Sequence, residues 1–156
     1  MNVLRTFTAA LLSMALLACG GSDPMTPVNL PMARVEAWWP VLDLKQSYAI
    51  RDDAQWQRVW TAHEPQTWPA TERPQVDFSK SMVLGLSLGW GPSGCYGMSI
   101  RRVIEEQREL RVEYMSKPRT TTPPEILVCT MALVPLTDFV VVPRSDKSVY
   151  FVQVGT

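Results

Sequence analysis

Cysteine and histidine carry the most specific chemistry in this chain of 156 residues, which has three of the first and one of the second. Cys95 stands in GWGPSGCYG, residues 89–97, a stretch of glycine, proline and serine. A cysteine there can be a nucleophile, a metal ligand or half of a disulfide. A nucleophile needs a base at hydrogen-bond distance, usually a histidine. The single histidine, His63, closes WQRVWTAH, residues 56–63, and no pattern brings it to Cys95. There is no CxxC, HExxH or phosphate-loop motif. The methionines do not cluster as copper ligands would: Met1, Met14, Met25 and Met32 lie near the N-terminus, and Met82 and Met98 alternate with other apolar residues. Carboxylates such as Asp43, Asp52 and Asp77 form no acid–base set with a nucleophile. The expectation is a protein that is not an enzyme and holds no metal or cofactor.

The N-terminus predicts a compartment. Arg5 supplies a short positive region, residues 7–18 are apolar or small, and LLAC ends at Cys19. This is the layout of a secretory signal peptide, residues 1–18, too short to span a bilayer that needs roughly 20 helical residues. LLAC also resembles the bacterial lipobox, which implies cleavage before Cys19 and lipid on its side chain. Gly20, in place of an aspartate, resembles the outer-membrane pattern. The expected location is the bacterial cell envelope, lipid-anchored at the outer membrane and facing the periplasm. The segment 19–33 contains GGSDPMTPVNLP and reads as a flexible tether. An oxidising compartment pairs thiols. With Cys19 acylated, Cys95 and Cys129 remain, and a disulfide between them is favoured over free or metal-bound thiols and over a nucleophile.

Formal net charge is zero, with acidic and basic residues interleaved. That gives no basic stripe for nucleic acid and no polybasic membrane patch. Residues 34–156 fit one domain of ordinary size.

The elements that would position Cys95 are mostly strands. In MVLGLSLGW, Met82, Leu84, Leu86, Leu88 and Trp90 alternate with Val83, Gly85, Ser87 and Gly89. In YGMSIRRVI, Tyr96, Met98, Ile100 and Ile104 share a face that Arg102 interrupts; in ELRVEYMSK, Leu110, Val112 and Tyr114 alternate with charge. Period two is the mark of a half-buried strand. EEQR, residues 105–108, reads as a solvated hairpin tip between them. EILVCTMALV, DFVVVPR and SVYFVQV read as further strands, with RVEAWWPVLDL and SYAIRD as shorter ones. One short helix is expected over about 53–63: Asp52 or Asp53 caps it, Trp56, Val59, Trp60 and His63 share a face, and Pro65 ends it. The predicted fold is mainly β, an antiparallel sandwich or barrel-like domain with that helix packed on it.

Three loops look built for binding, since loops on a rigid β scaffold commonly carry it. They are 89–97, with Trp90, Pro92, Ser93, Gly94 and Tyr96; 117–125, with Pro118, Arg119, Thr121 and Pro123; and 134–138, with Thr137.

The run VDFSKSMVLGLSLGWGPSGCYGMSIRRV, then ELRVEYMSKPRTTTPPE, then ALVPLTDFVVVPR, resembles the C-terminal domain family of PrcB, over residues 76–144. PrcB is a lipoprotein subunit that stabilises a bacterial surface protease complex. Asp77, Phe78 and Ser79 match the opening of the family pattern, Gly94 and Tyr96 its loop, and Pro135, Val140, Val142 and Pro143 its close. Cys95 departs from it, standing where a glycine is usual, as in a disulfide-bearing branch. The resemblance implies a non-catalytic accessory domain that binds an envelope protein partner, with a protease as one such partner. GPSGCY is also distantly similar to a loop of chagasin-type protease inhibitors through Pro92 and Tyr96, which implies a loop-presenting protease inhibitor as an alternative. A second alternative is a small-molecule or glycan binder using Trp38, Trp39, Trp56 or Trp60.

Overall fold

The computed structural model describes residues 25–35, 45–62, 72–118 and 129–155, the side chains of residues 117 and 118 excepted. The domain is mainly β, two four-stranded sheets with one helix. One sheet has the order β1 (Val28–Leu30), β5 (Tyr96–Glu105), β6 (Glu109–Pro118), β8 (Ser148–Gln153). The other has the order β2 (Ala33–Arg34), β7 (Val134–Pro143), β4 (Ser81–Gly91), β3 (Lys45–Ile50). Every pairing is antiparallel except β6 with β8, which is parallel.

Strand β4 has no charged residue and is buried along nearly its whole length. It was expected to be half-buried, but both its faces are covered. Met82 and Leu84 enter the core between the sheets with Ile100, Val103, Leu110, Val112 and Val140. Val83 lies on the other face, in a second core with Ile50, Trp56, Trp60 and Phe139. That second core is the seat of α1 (Asp53–Ala62). Asp52 caps the helix by accepting from the Gln55 N–H at 2.7 Å. Trp56 and Trp60 meet edge to face at 5.8 Å, and the buried Trp56 indole donates to the Pro74 carbonyl at 3.1 Å. These two tryptophans belong to this core. His63 lies just past the helix, outside the described residues.

Four sequence expectations are corrected. First, part of the tether is strand. β1 pairs with β5 and β2 with β7, and Pro31 carries the chain from one sheet to the other. A proline-bearing extended segment suits a sheet edge, where a missing N–H costs nothing, so the domain starts before residue 34. Second, residues 129–133 are not strand and 134–138 are, as the first half of β7. Pro135 is tolerated there because β2 reaches only Val140 and Val141, leaving β7 an edge at that point. Third, β5 changes phase. Ile100 faces Tyr114 and Arg102 faces Glu113, so Arg101 is an extra, bulged residue. Val103 therefore shares the core with Ile100, and Ile104 turns to the opposite face. Asp138 reaches across from β7 to accept the Ile100 N–H at 2.7 Å, and Arg34 pairs with Asp138 while donating to the Ile100 carbonyl at 3.1 Å. The broken ladder is thus satisfied by the buried Asp138 carboxylate, and the exposed Arg34 that pairs with it ties the sheets together. Fourth, the hairpin tip is only partly a solvated one. Lys147 binds Glu105 at 2.9 Å, and Arg111 binds Glu106 at 2.8 Å.

The strand candidates at 36–44 and 125–128 lie outside the described residues.

Candidate functional site

The sandwich has two unlike ends, and the register says which residues meet at each. β4 and β6 end, and β5 and β7 begin, at one end: Trp90 faces Pro135, Gly91 faces Val134, and Tyr96 faces Pro118. Among the described residues, 81–100 and 129–137 build most of this end, and they contain no charged residue. The opposite end gathers the hairpin 105–109, the turn 77–80 and the turn 144–147, and is densely charged.

At the uncharged end the loop 89–97 is shorter than its sequence suggests, because β4 runs to Gly91 and β5 starts at Tyr96. Pro92 is exposed, Ser93 and Gly94 are half-buried, and the Tyr96 N–H closes the turn on the Ser93 carbonyl at 3.0 Å. Cys95, which is buried, forms a disulfide with Cys129 across a Cα–Cα distance of 5.1 Å. Next to it the Gly94 N–H donates to the Thr130 carbonyl at 2.9 Å. A Cβ on Gly94 would strike the Thr130 side chain, so the close approach requires glycine. The β4–β7 register slips between Ser87 and Trp90, where Gly89 adopts φ 82°. Few residues other than glycine take that conformation readily. Thr137 lies on β7 and not in a loop; its hydroxyl donates to the buried Ser87 hydroxyl at 3.4 Å, which steadies the slip.

The segment after Cys129 is therefore held at both ends, by the disulfide with its neighbouring hydrogen bond and by the start of β7. Between these holds it presents Met131, 94% exposed, and Leu133, 64% exposed. Trp90 and Pro92 are exposed where β4 crosses over to β5 in the other sheet. Met131 and Leu133 escaped the sequence reading because they sat inside an assumed strand. Cys129 held the available signal. A cysteine bridged to the turn between β4 and β5 sits at the end of the sandwich, so the residues after it lie at that end before β7 begins.

The charged end is fastened by polar contacts. Arg144 donates to the Phe78 carbonyl at 2.7 Å and to the Arg51 carbonyl at 2.8 Å. Arg51 donates to the Ser145 and Lys147 carbonyls at 2.9 and 2.7 Å. On the outer face of the first sheet Glu113, only 2% exposed, is held by Arg102 and Arg111. Tyr150 donates to Glu106 at 3.3 Å; burial, then the Glu106 carboxylate, pushes its hydroxyl above the usual range, so it is a neutral phenol at physiological pH. Every one of these groups is engaged in holding strands and turns together. Among the described residues no three of His, Cys, Asp or Glu gather closely enough to hold a metal.

No family model, curated protein or solved structure matches this chain. The residues that carry the PrcB resemblance have structural work in this fold. Asp77 accepts from the Ser79 hydroxyl at 2.5 Å and from the Ser79 N–H at 3.0 Å; these bonds shape the turn into β4, and the hydroxyl first and then the N–H hold its carboxyl below the usual carboxylate range. Phe78 packs on the helix core, Val140 and Val142 lie between the sheets, and Pro143 closes β7. Cys19, Trp38, Trp39, Arg119, Thr121 and Pro123 lie outside the described residues, and Pro118 is placed only by its backbone, opposite Tyr96.

Proposed function

We propose that this is a non-catalytic envelope lipoprotein whose β domain binds another envelope protein, as an accessory subunit does when it stabilises a protease complex. The observation that carries this is the uncharged end, where Met131 and Leu133 stand exposed on a segment locked by a disulfide. Cores of protein interfaces are depleted in charge and enriched in methionine and aromatic residues. A pre-ordered support lowers the entropy lost on binding. The chain's path fits the same use. It enters the domain at the charged end, where Val28 pairs with Glu105. A lipid on Cys19 would hold that end near the bilayer, on a tether spanning at most about 30 Å, and direct the apolar end away from it.

The test places a photo-crosslinking residue at Met131 and, as a control, at Asp146 on the charged end, in the intact lipoprotein in its own envelope. Mass spectrometry then identifies the adducts. The expected result is a discrete protein adduct from position 131 alone, lost when Leu133→Asp is added. Porins and lipid in equal yield from both positions would sink the proposal. Inhibition of a protease panel by the purified domain, abolished by Met131→Asp, would replace the accessory role with an inhibitory one.

A further inference from the structure

The two long sides of the sandwich are finished differently. On one side the sheets end in β1 and β2, of three and two residues, joined through Pro31. Very short, proline-flanked edges resist pairing with other chains. On the other side they end in β8 and β3, six residues each, without a proline or a bulge. Each is hydrogen-bonded on one side only among the described residues. β8 carries Val149, Tyr150, Phe151 and Val152 in sequence, and among the described strands its outer edge has no neighbour.

Between these edges lies a cleft of about 350 Å³. Leu86, Leu88, Val149 and Phe151 line it together with polar groups of Gln46 and Ser47. Lys45, on the β3 rim, is the one charged side chain among the described residues that line it, and it is exposed.

A strand edge without a neighbour among the described residues, beside a cleft with both apolar and polar lining, suits one ligand chemistry. An extended peptide can bond its backbone to the edge and drop alternate side chains into the cleft. We propose that the β3–β8 side is a strand-addition site for an extended segment of a partner protein, apolar at alternate positions and carrying an acidic residue that meets Lys45. The more stable antiparallel pairing with β8 puts that acidic residue toward the peptide's N-terminus, because β8 runs toward the end of the sandwich where Lys45 lies opposite Leu88. This site is separate from the Met131 end and does not depend on what binds there.

The test pans a random-peptide phage library against the folded domain and resynthesises the enriched peptides for heteronuclear NMR. Enriched sequences should alternate apolar residues and carry aspartate or glutamate. Their binding should shift and protect the amides of residues 149–152. Methylating the peptide's edge-facing amide nitrogens should weaken binding about tenfold for each hydrogen bond lost. Lys45→Glu should weaken the acidic peptides and strengthen versions with lysine in place of the acid. Failure to enrich any peptide, or enriched peptides that map to residues 130–133 or elsewhere, would overturn the proposal. So would a concentration-dependent dimer with β8 amides protected in the absence of peptide, because a second copy would then own the edge.

Discussion

Both ends of the sandwich are rigid, and they reach rigidity by opposite chemistry. At the charged end, arginines span turns and bind carbonyl oxygens: Arg144 holds Phe78 and Arg51, and Arg51 holds Ser145 and Lys147. At the uncharged end a disulfide, a close glycine–threonine contact and a left-handed glycine do the same work without any charge. The difference matters for what each surface can still do. A charged fastening uses the side chains that face solvent, so the surface is occupied by its own structure. A covalent and steric fastening lies beneath the surface and leaves Met131 and Leu133 facing solvent.

The strongest way to break this comparison is to remove the disulfide. Cys95 and Cys129 are separated by 34 residues, and closing such a loop restricts the unfolded chain by roughly 3 to 4 kcal/mol. Changing both cysteines to serine should cost stability of that order in urea denaturation. Hydrogen exchange should then rise around residues 92–95 and 129–133 while the turns at 77–80 and 144–147 keep their protection. A uniform rise across both ends would mean that they are one cooperative unit and not two independently fastened ones.

The corresponding loss at the other end is smaller. Arg144→Ala leaves two carbonyls without their donor, but the site is exposed and water replaces part of the loss, so about 1 to 2 kcal/mol is expected. Arg144→Lys should recover little of it, since one ammonium on a flexible stem cannot reproduce the fork geometry of guanidinium. Recovery by lysine would show that charge, and not hydrogen-bond geometry, fastens this end.

A third prediction separates the ends by pH. Asp77 shapes the turn at the charged end, and hydrogen bonds from Ser79 lower its carboxyl. A carboxyl lowered in the folded state contributes its stabilisation fully above the unfolded value, about 3.9. That contribution disappears as pH falls through the lowered value. The stability gap between the native chain and Asp77→Asn should therefore be constant from neutral pH down to about pH 5 and shrink below it. Among the described residues, 81–100 and 129–137 at the uncharged end include no carboxylate, so exchange at residues 129–133 should not follow this profile.

The sequence showed the sheets more readily than it showed where they stop. Alternation marked β5 and β6, and β-branched and aromatic content marked β8, both of which are local information. The Asp52 cap and the Trp56–Trp60 spacing marked the helix for the same reason. The onset of β7 at Val134 was hidden, since it depends on pairing with Gly91, 43 residues earlier in the chain by their numbers. The strands inside the supposed tether were hidden because three residues beside a proline have no periodicity of their own; β5 and β7 define them. The bulge at Arg101 was foreshadowed only by Arg102 interrupting an apolar face. Of the candidate site, the disulfide followed from counting cysteines, whereas Met131 and Leu133 were legible only once the disulfide had placed Cys129 at the end of the sandwich.

The smallest expected effect on stability is also the sharpest test of the comparison. Met131 is 94% exposed, so Met131→Asp buries no charge and removes almost no packing. Surface substitutions of this kind usually change stability by no more than about 0.5 kcal/mol. The denaturation midpoint should stay within that range, and the disulfide should still form. Partner binding through this end should nevertheless fall at least tenfold, because a carboxylate would have to be desolvated at the centre of an apolar contact. The matching substitution at the charged end, Asp146→Lys, is equally exposed and should leave binding unchanged. If Met131→Asp instead lowered stability as much as Arg144→Ala, Met131 would be part of the fastening, and the division between a committed end and a free one would fail.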